Sequence, residues 1–163
     1  MYKVSHILTD VSDVRVVSTA YSEGFTVSEL KCADRINGHL LDRLDDLLRL
    51  WAAYQNGDEE VEDLGSFCEY GLSFNYVAPD TFTDQNYGYY RYQLSWGGPS
   101  DEFRFMTEDP EATAPPIEYW FLDWFDGAHI HLKGEDYDLL HEIWQFFVDI
   151  GSTQAEYDKV QED

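Results

Sequence analysis

His129 and His131 stand two residues apart in the run IEYWFLDWFDGAHIHL, Ile117 to Leu132. On a β-strand this spacing turns both imidazoles to one face. Two imidazoles on one face are half of a metal site, and a third donor such as His141 or a carboxylate would complete it. The competing expectation is a packed hairpin. Asp126–Gly127 is a strong two-residue turn signal. A turn there sets Phe125 opposite Ala128, Trp124 opposite His129, Asp123 opposite Ile130 and Leu122 opposite His131. Tyr119, Phe121, Asp123, Phe125, Ile130 and Leu132 then share one face. Trp120, Leu122, Trp124, His129, His131 and Lys133 share the other. The histidines would stack on Trp124 and Leu122, and two largely apolar faces predict a hairpin interior to the sheet. Asp123 among aromatics needs a cationic partner or a raised pKa, and Arg91 or Arg104 on neighbouring strands is the expected partner.

Other motifs are weaker. SWGGPSDEF has the glycines of a phosphate loop but lacks the GK[ST] ending, leads into a strand, and places Asp101 and Glu102 where a phosphate would be repelled. A hairpin loop needing positive φ at Gly97 or Gly98 is the simpler expectation. GxSxG, HExxH and GxGxxG do not occur. Cys32 and Cys68 form neither a CxxC nor a metal quartet, and reduced, buried thiols are expected. No cofactor, catalytic residue or metal ligand is assigned on these grounds. The enzyme alternative is a metal-dependent activity using His129, His131 and His141.

The strongest constellation is the acidic one. The chain carries 33 Asp+Glu against 10 Lys+Arg, a formal net charge of −23. Residues 1–50 hold 6 basic and 8 acidic residues, a net of −2, whereas residues 51–163 hold 4 and 25, a net of −21. An aromatic content of 17% separates this chain from acidic disordered tails. Such a surface repels nucleic acid and anionic membranes and attracts basic surfaces. The carboxylates expected to meet a partner are Asp58, Glu59, Glu60, Glu62, Asp63, Glu108, Asp109, Glu111, Glu135, Asp136 and Asp138. Double-stranded DNA presents one negative charge per about 1.7 Å of axis, and a rigid array of carboxylates can imitate it. Competing accounts are the general acidity of a high-salt habitat and an immunity-type module that neutralises a basic nuclease.

The elements that must hold these residues follow from periodicity. YKVSHIL and VRVVSTAY read as N-terminal strands. From about Val27 to Tyr54, Ile36, Leu40, Leu44, Leu47, Leu48, Trp51 and Tyr54 form a helical stripe, with Ser28 as its cap, Asn37–Gly38 as a kink and Gly57 as its stop. DEEVEDLGSFCEYG reads as a short acidic helix. LSFNYVA, YYRYQLSW, DEFRFMT, IEYWFLDWF and AHIHLK read as five strands. GEDYDLLHEIWQFFVDIG reads as an amphipathic helix with Leu139, Leu140, Ile143, Trp144 and Phe147 on its apolar face. The expected fold is α+β: an antiparallel meander of about five strands with helices packed on one face, plus an N-terminal β segment and a long helix. Residues 1–26 are assigned to the N-terminal β segment, which either adds to the sheet or builds a homodimer, and 27–163 to the acidic core domain. No apolar run reaches membrane-spanning length and no signal-peptide core is present, so a cytoplasmic protein is expected.

The stretches YGLSFNYV, GYYRYQLSWGGPSDEFRF and IEYWFLDWFDGA resemble a family of small acidic proteins carried on bacterial plasmids and prophages, over roughly residues 66–152. The resemblance implies a mobile-element role of the anti-restriction or anti-CRISPR kind. The expected function is therefore a non-enzymatic DNA mimic. Its expected partner is the basic nucleic-acid-binding surface of a host defence complex, without direct contact to nucleic acid or membrane.

Overall fold

The computed structural model describes residues 15–18 and 31–162. In chain order they form β1 (Arg15–Ser18), α1 (Cys32–Asn56), α2 (Phe67–Tyr70), β2 (Ser73–Val77), β3 (Tyr89–Ser95), β4 (Ser100–Phe105), β5 (Ile117–Asp123), β6 (Asp126–His131), α3 (Gly134–Asp149) and α4 (Ser152–Gln161). Strands β2 to β6 make the expected antiparallel meander. β1 pairs antiparallel with β6, which gives the order β1-β6-β5-β4-β3-β2. The class is α+β. The expected strand YKVSHIL and the expected cap Ser28 lie outside the described residues.

Strand alternation puts Phe74, Tyr76, Tyr90, Tyr92, Phe103, Phe105, Tyr119, Phe121 and Ile130 on one face. Every helix–sheet ring contact lies on that face. Trp144 of α3 meets Tyr90 and Phe105, Phe147 meets Phe74 and Tyr92, Tyr157 of α4 meets Tyr76, and His39 of α1 stacks on Phe121. Trp144, Tyr90, Tyr119, Phe103 and Phe105 are fully buried. Burying each such side chain contributes about 1.5–3 kcal/mol, so this aromatic layer dominates the core.

α1 buries Ile36, Leu40, Leu44, Leu47 and Trp51 of the expected stripe, together with Cys32 and Leu50; Leu48 is only half-buried and Tyr54 is exposed, which corrects those two positions. It runs unbroken through Asn37–Gly38, where open space surrounds the glycine. Gly57 ends it in the left-handed region at φ 81°, with its N–H bonded to Tyr54 O at 3.1 Å. The helix expected over DEEVEDLGSFCEYG is confined to Phe67–Tyr70. Asp58 to Glu60 instead run as exposed irregular chain, and Glu62 and Asp63 lie in a turn closed by the bridge Val61–Gly65, with Asp63 at φ 70°. Five acidic residues in that stretch repel one another along a helix, and Gly65 breaks it.

The β5–β6 hairpin corrects the expected register. Asp123 pairs with Asp126, Leu122 with Gly127, Phe121 with Ala128, Trp120 with His129, Tyr119 with Ile130 and Glu118 with His131. The turn is therefore Trp124–Phe125, not Asp126–Gly127. Trp124 takes φ 51°, and both tip residues project into solvent. Asp126 is held elsewhere: its carboxylate accepts the Cys32 N–H at the start of α1 at 2.7 Å. Gly127 is where Leu122 packs closest, since a Cβ there would lie 2.9 Å from Leu122 Cδ2. The turn moves by two residues, so the residues that stay on the strands keep their expected faces, while Trp124 and Phe125 leave them for the tip.

Candidate functional site

Three ion pairs tie arginines into the fold. Arg43 of α1 grips Asp101 with two bonds, Nε to Oδ2 at 2.7 Å and Nη2 to Oδ1 at 3.0 Å. Asp101 is 3% exposed and also accepts from Tyr119 at 2.8 Å and from Ser95. Burial opposes its ionisation, but Arg43, Ser95 and Tyr119 outweigh burial and hold its carboxyl below the usual range. Arg35 pairs with Asp123 at 2.6 Å and lies over the Phe121 ring. This corrects the expected partner of Asp123: Arg91 donates to Asn75, and Arg104 to Glu102. Asp123 faces the helices, whereas both of those arginines point to the opposite face of the sheet.

That opposite face carries a continuous polar–aromatic stack. The Arg104 guanidinium lies 4.5 Å from the Tyr89 ring centroid and 3.8 Å from that of Trp120. The Trp120 ring stacks on His129 at 4.5 Å and 13°. His129 meets His131 edge-on at 5.4 Å. Glu118 closes the group. One of its oxygens accepts the Trp120 indole N–H at 2.8 Å, and the other lies 3.1 Å from His131 Nδ1. One ligand atom from each of Glu118, His129 and His131 lies within 4.8 Å of the others. The expectation that the histidines stack on Trp124 and Leu122 is corrected: His129 stacks on its cross-strand neighbour Trp120, and His131 stands opposite Glu118.

Of the expected third donors, His141 or a carboxylate, it is a carboxylate, Glu118, that lies in this group, and His141 does not. It sits on α3, on the helix side of the sheet, where Nε2 meets Thr113 O at 2.7 Å and the ring stacks on Tyr137. It borders a shallow depression of about 420 Å³ between α1 and α3, together with Trp51, Glu142 and Phe146. Glu118 takes the place expected of it. Strand pairing puts Glu118 directly opposite His131, so the correct register would have found it.

The acidic residues divide by location. Glu108, Asp109 and Glu111 occupy the β4–β5 connection, and Glu135, Asp136 and Asp138 begin α3. Both segments leave the same end of the sheet, because Phe105 and Leu132 both flank Ile117. Asp58, Glu59, Glu60, Glu62 and Asp63 lie apart, in the turn after α1. All are exposed except Asp136, which is half-buried. Burial and the neighbouring Glu135 charge raise the Asp136 pKa. Glu108 is fixed by the Gly88 N–H at 3.0 Å, and Asp109 caps the Glu111 N–H at 2.9 Å. None of the eleven forms an ion pair with a described residue.

Cys32 is buried and Cys68 exposed, and both are free thiols, so burial holds for only one of them. Burial and then Asp126 push the Cys32 thiol up to about 11, which keeps it protonated and unreactive. Gly97 takes φ 126°, as a loop in SWGGPS requires. Among the described residues no helix is long and apolar enough to cross a membrane. Comparison of the chain with protein-family models, curated proteins and solved structures finds no match.

Proposed function

We propose that the protein is a non-enzymatic inhibitor that offers a nucleic-acid-like anionic surface to the basic groove of a nucleic-acid-binding complex. The observation that carries this reading is the sorting of charge. Arg35, Arg43 and Arg104 are spent on Asp123, Asp101 and Glu102 inside the fold, while the eleven carboxylates of the three clusters keep no ion-pair partner among described residues. Exposed Lys31, Arg49, Lys133 and Lys159 are far too few to neutralise that surface. Carboxylates carried on a folded sheet-and-helix scaffold offer lysines and arginines a concentrated field of one sign, which favours fast, salt-sensitive association.

Mobile elements use such inhibitors against host defence complexes, and targets of that kind work in the cytoplasm, where we put the protein. Restriction endonucleases, CRISPR effectors and basic nuclease toxins all present a basic groove. The test is competition with duplex DNA for purified members of each class, at low and at high salt. Binding that is displaced by DNA and lost at high salt supports the proposal. Failure to compete with DNA for any of them refutes mimicry. A complex with a nuclease toxin alone would recast the protein as an immunity factor.

A further inference from the structure

We infer that Glu118, His129 and His131 form a binding site for a divalent transition-metal ion, with Zn²⁺ the best match to two imidazoles and one carboxylate. This goes beyond the inhibitor reading and does not depend on it. The three side chains come from adjacent strands in fixed register, Glu118 directly opposite His131 and His129 two residues along the same face. Their ligand atoms already lie within 4.8 Å of one another. Zn²⁺ held at about 2.0–2.2 Å by tetrahedral ligands needs separations of about 3.5 Å, so binding would draw the ligand atoms together by about 1 Å at most.

Trp120 makes this more than a chance cluster. Its indole N–H holds one Glu118 oxygen at 2.8 Å, which aims the other toward the histidines. Its ring, stacked at 4.5 Å, sets the plane of His129. One residue thus orients two of the three ligands, the job that outer hydrogen-bond partners perform in metal sites. His129 is buried, at 7% exposure, while the His131 side chain is 39% exposed and gives the ion a way in from solvent. Three protein ligands leave one position for water or for a donor from a partner.

The test is Zn²⁺ titration of the chelator-stripped full chain by calorimetry, in excess Ca²⁺ and Mg²⁺ to saturate the surface carboxylates. Co²⁺ absorption provides a second readout of tetrahedral nitrogen–oxygen ligation. One equivalent should bind. His131→Ala and Glu118→Gln should each abolish it, and Trp120→Phe, which keeps a ring but removes the N–H, should weaken it about 10–100-fold. Circular dichroism and metal-free Tm report whether each variant folds; His131→Ala, at a half-exposed position, keeps the test valid if the others do not. Binding that Ca²⁺ competes away, or one equivalent retained in His131→Ala, would overturn the site. Neither outcome bears on DNA competition, which is measured in the presence of chelator.

Discussion

Replacing Arg43 with alanine tests how the scaffold is held. Asp101 is 3% exposed and lies on β4, where the two bonds from Arg43 clamp α1 to the sheet. Without Arg43 the carboxylate keeps only Ser95 and Tyr119, two neutral donors, in a site that disfavours charge. Removing one partner of a buried pair costs about 3–5 kcal/mol. In a chain of 163 residues, each kcal/mol shifts Tm by about 2–4 °C, so the expected fall is about 6–20 °C at neutral pH. The assay is thermal and urea unfolding of R43A, D101N and the double variant. Asparagine keeps an acceptor for Tyr119 but has no charge to strand, so the double variant should be more stable than the sum of the two losses predicts, by about 1–3 kcal/mol of coupling. R43A within about 1 kcal/mol of the parent, or strict additivity, would refute the reasoning.

The pH profile has two limbs with opposite signs. Asp136 has a raised folded pKa, so the folded chain binds its proton more tightly and stability rises as pH falls through that value; Asp136→Asn should stabilise the protein at neutral pH and flatten this rise. Asp101 has a lowered folded pKa, so its contribution is fully present above the ordinary 3.8 and is lost as pH falls through the depressed value, which a circular-dichroism acid titration will show as a late unfolding limb that moves to higher pH in R43A. Reversing Glu59, Glu60 and Glu62, exposed carboxylates outside the bonds that hold Glu108 and Asp109, to lysine should leave stability within about 0.5 kcal/mol, while weakening target binding and reducing its salt slope, measured by calorimetry across a salt series. Gly71→Ala should cost about 1–3 kcal/mol by urea denaturation, because a Cβ there would sit 2.1 Å from Cε2 of buried Tyr92.

Periodicity made most of the fold legible. The apolar stripe of α1, the alternation of β2 to β6 and the apolar face of α3 each have one period over enough residues to exclude the other. What stayed hidden depended on long-range contacts. Asp126–Gly127 has the composition of a turn, but Asp126 caps α1 from 94 residues away and Gly127 makes room for Leu122. That displaced turn hid Glu118 behind Leu122 as the neighbour of His131 and left His141 as the apparent third donor. The partner of Asp123 is hidden for a related reason. Face parity already excluded Arg91 and Arg104, and Arg35 sits 88 residues earlier on a helix whose docking no local pattern encodes. The acidic clusters were legible as exposed because no fold buries that much unpaired charge.

The distance between α1 and its anchors also sets a timetable for synthesis. α1 is synthesised early, but Asp123 and Asp126, which hold its first turns, follow about 90 residues later. At about 5–20 residues per second, that is a wait of roughly 5–18 s. During this interval β4 brings Asp101 to Arg43, but the first turns of α1 wait for the β5–β6 hairpin, whose strands are joined by two residues. The first turns of a helix made early thus wait for strands made late. The nascent chain is most open to holdase chaperones between the completion of α1 and the emergence of β6.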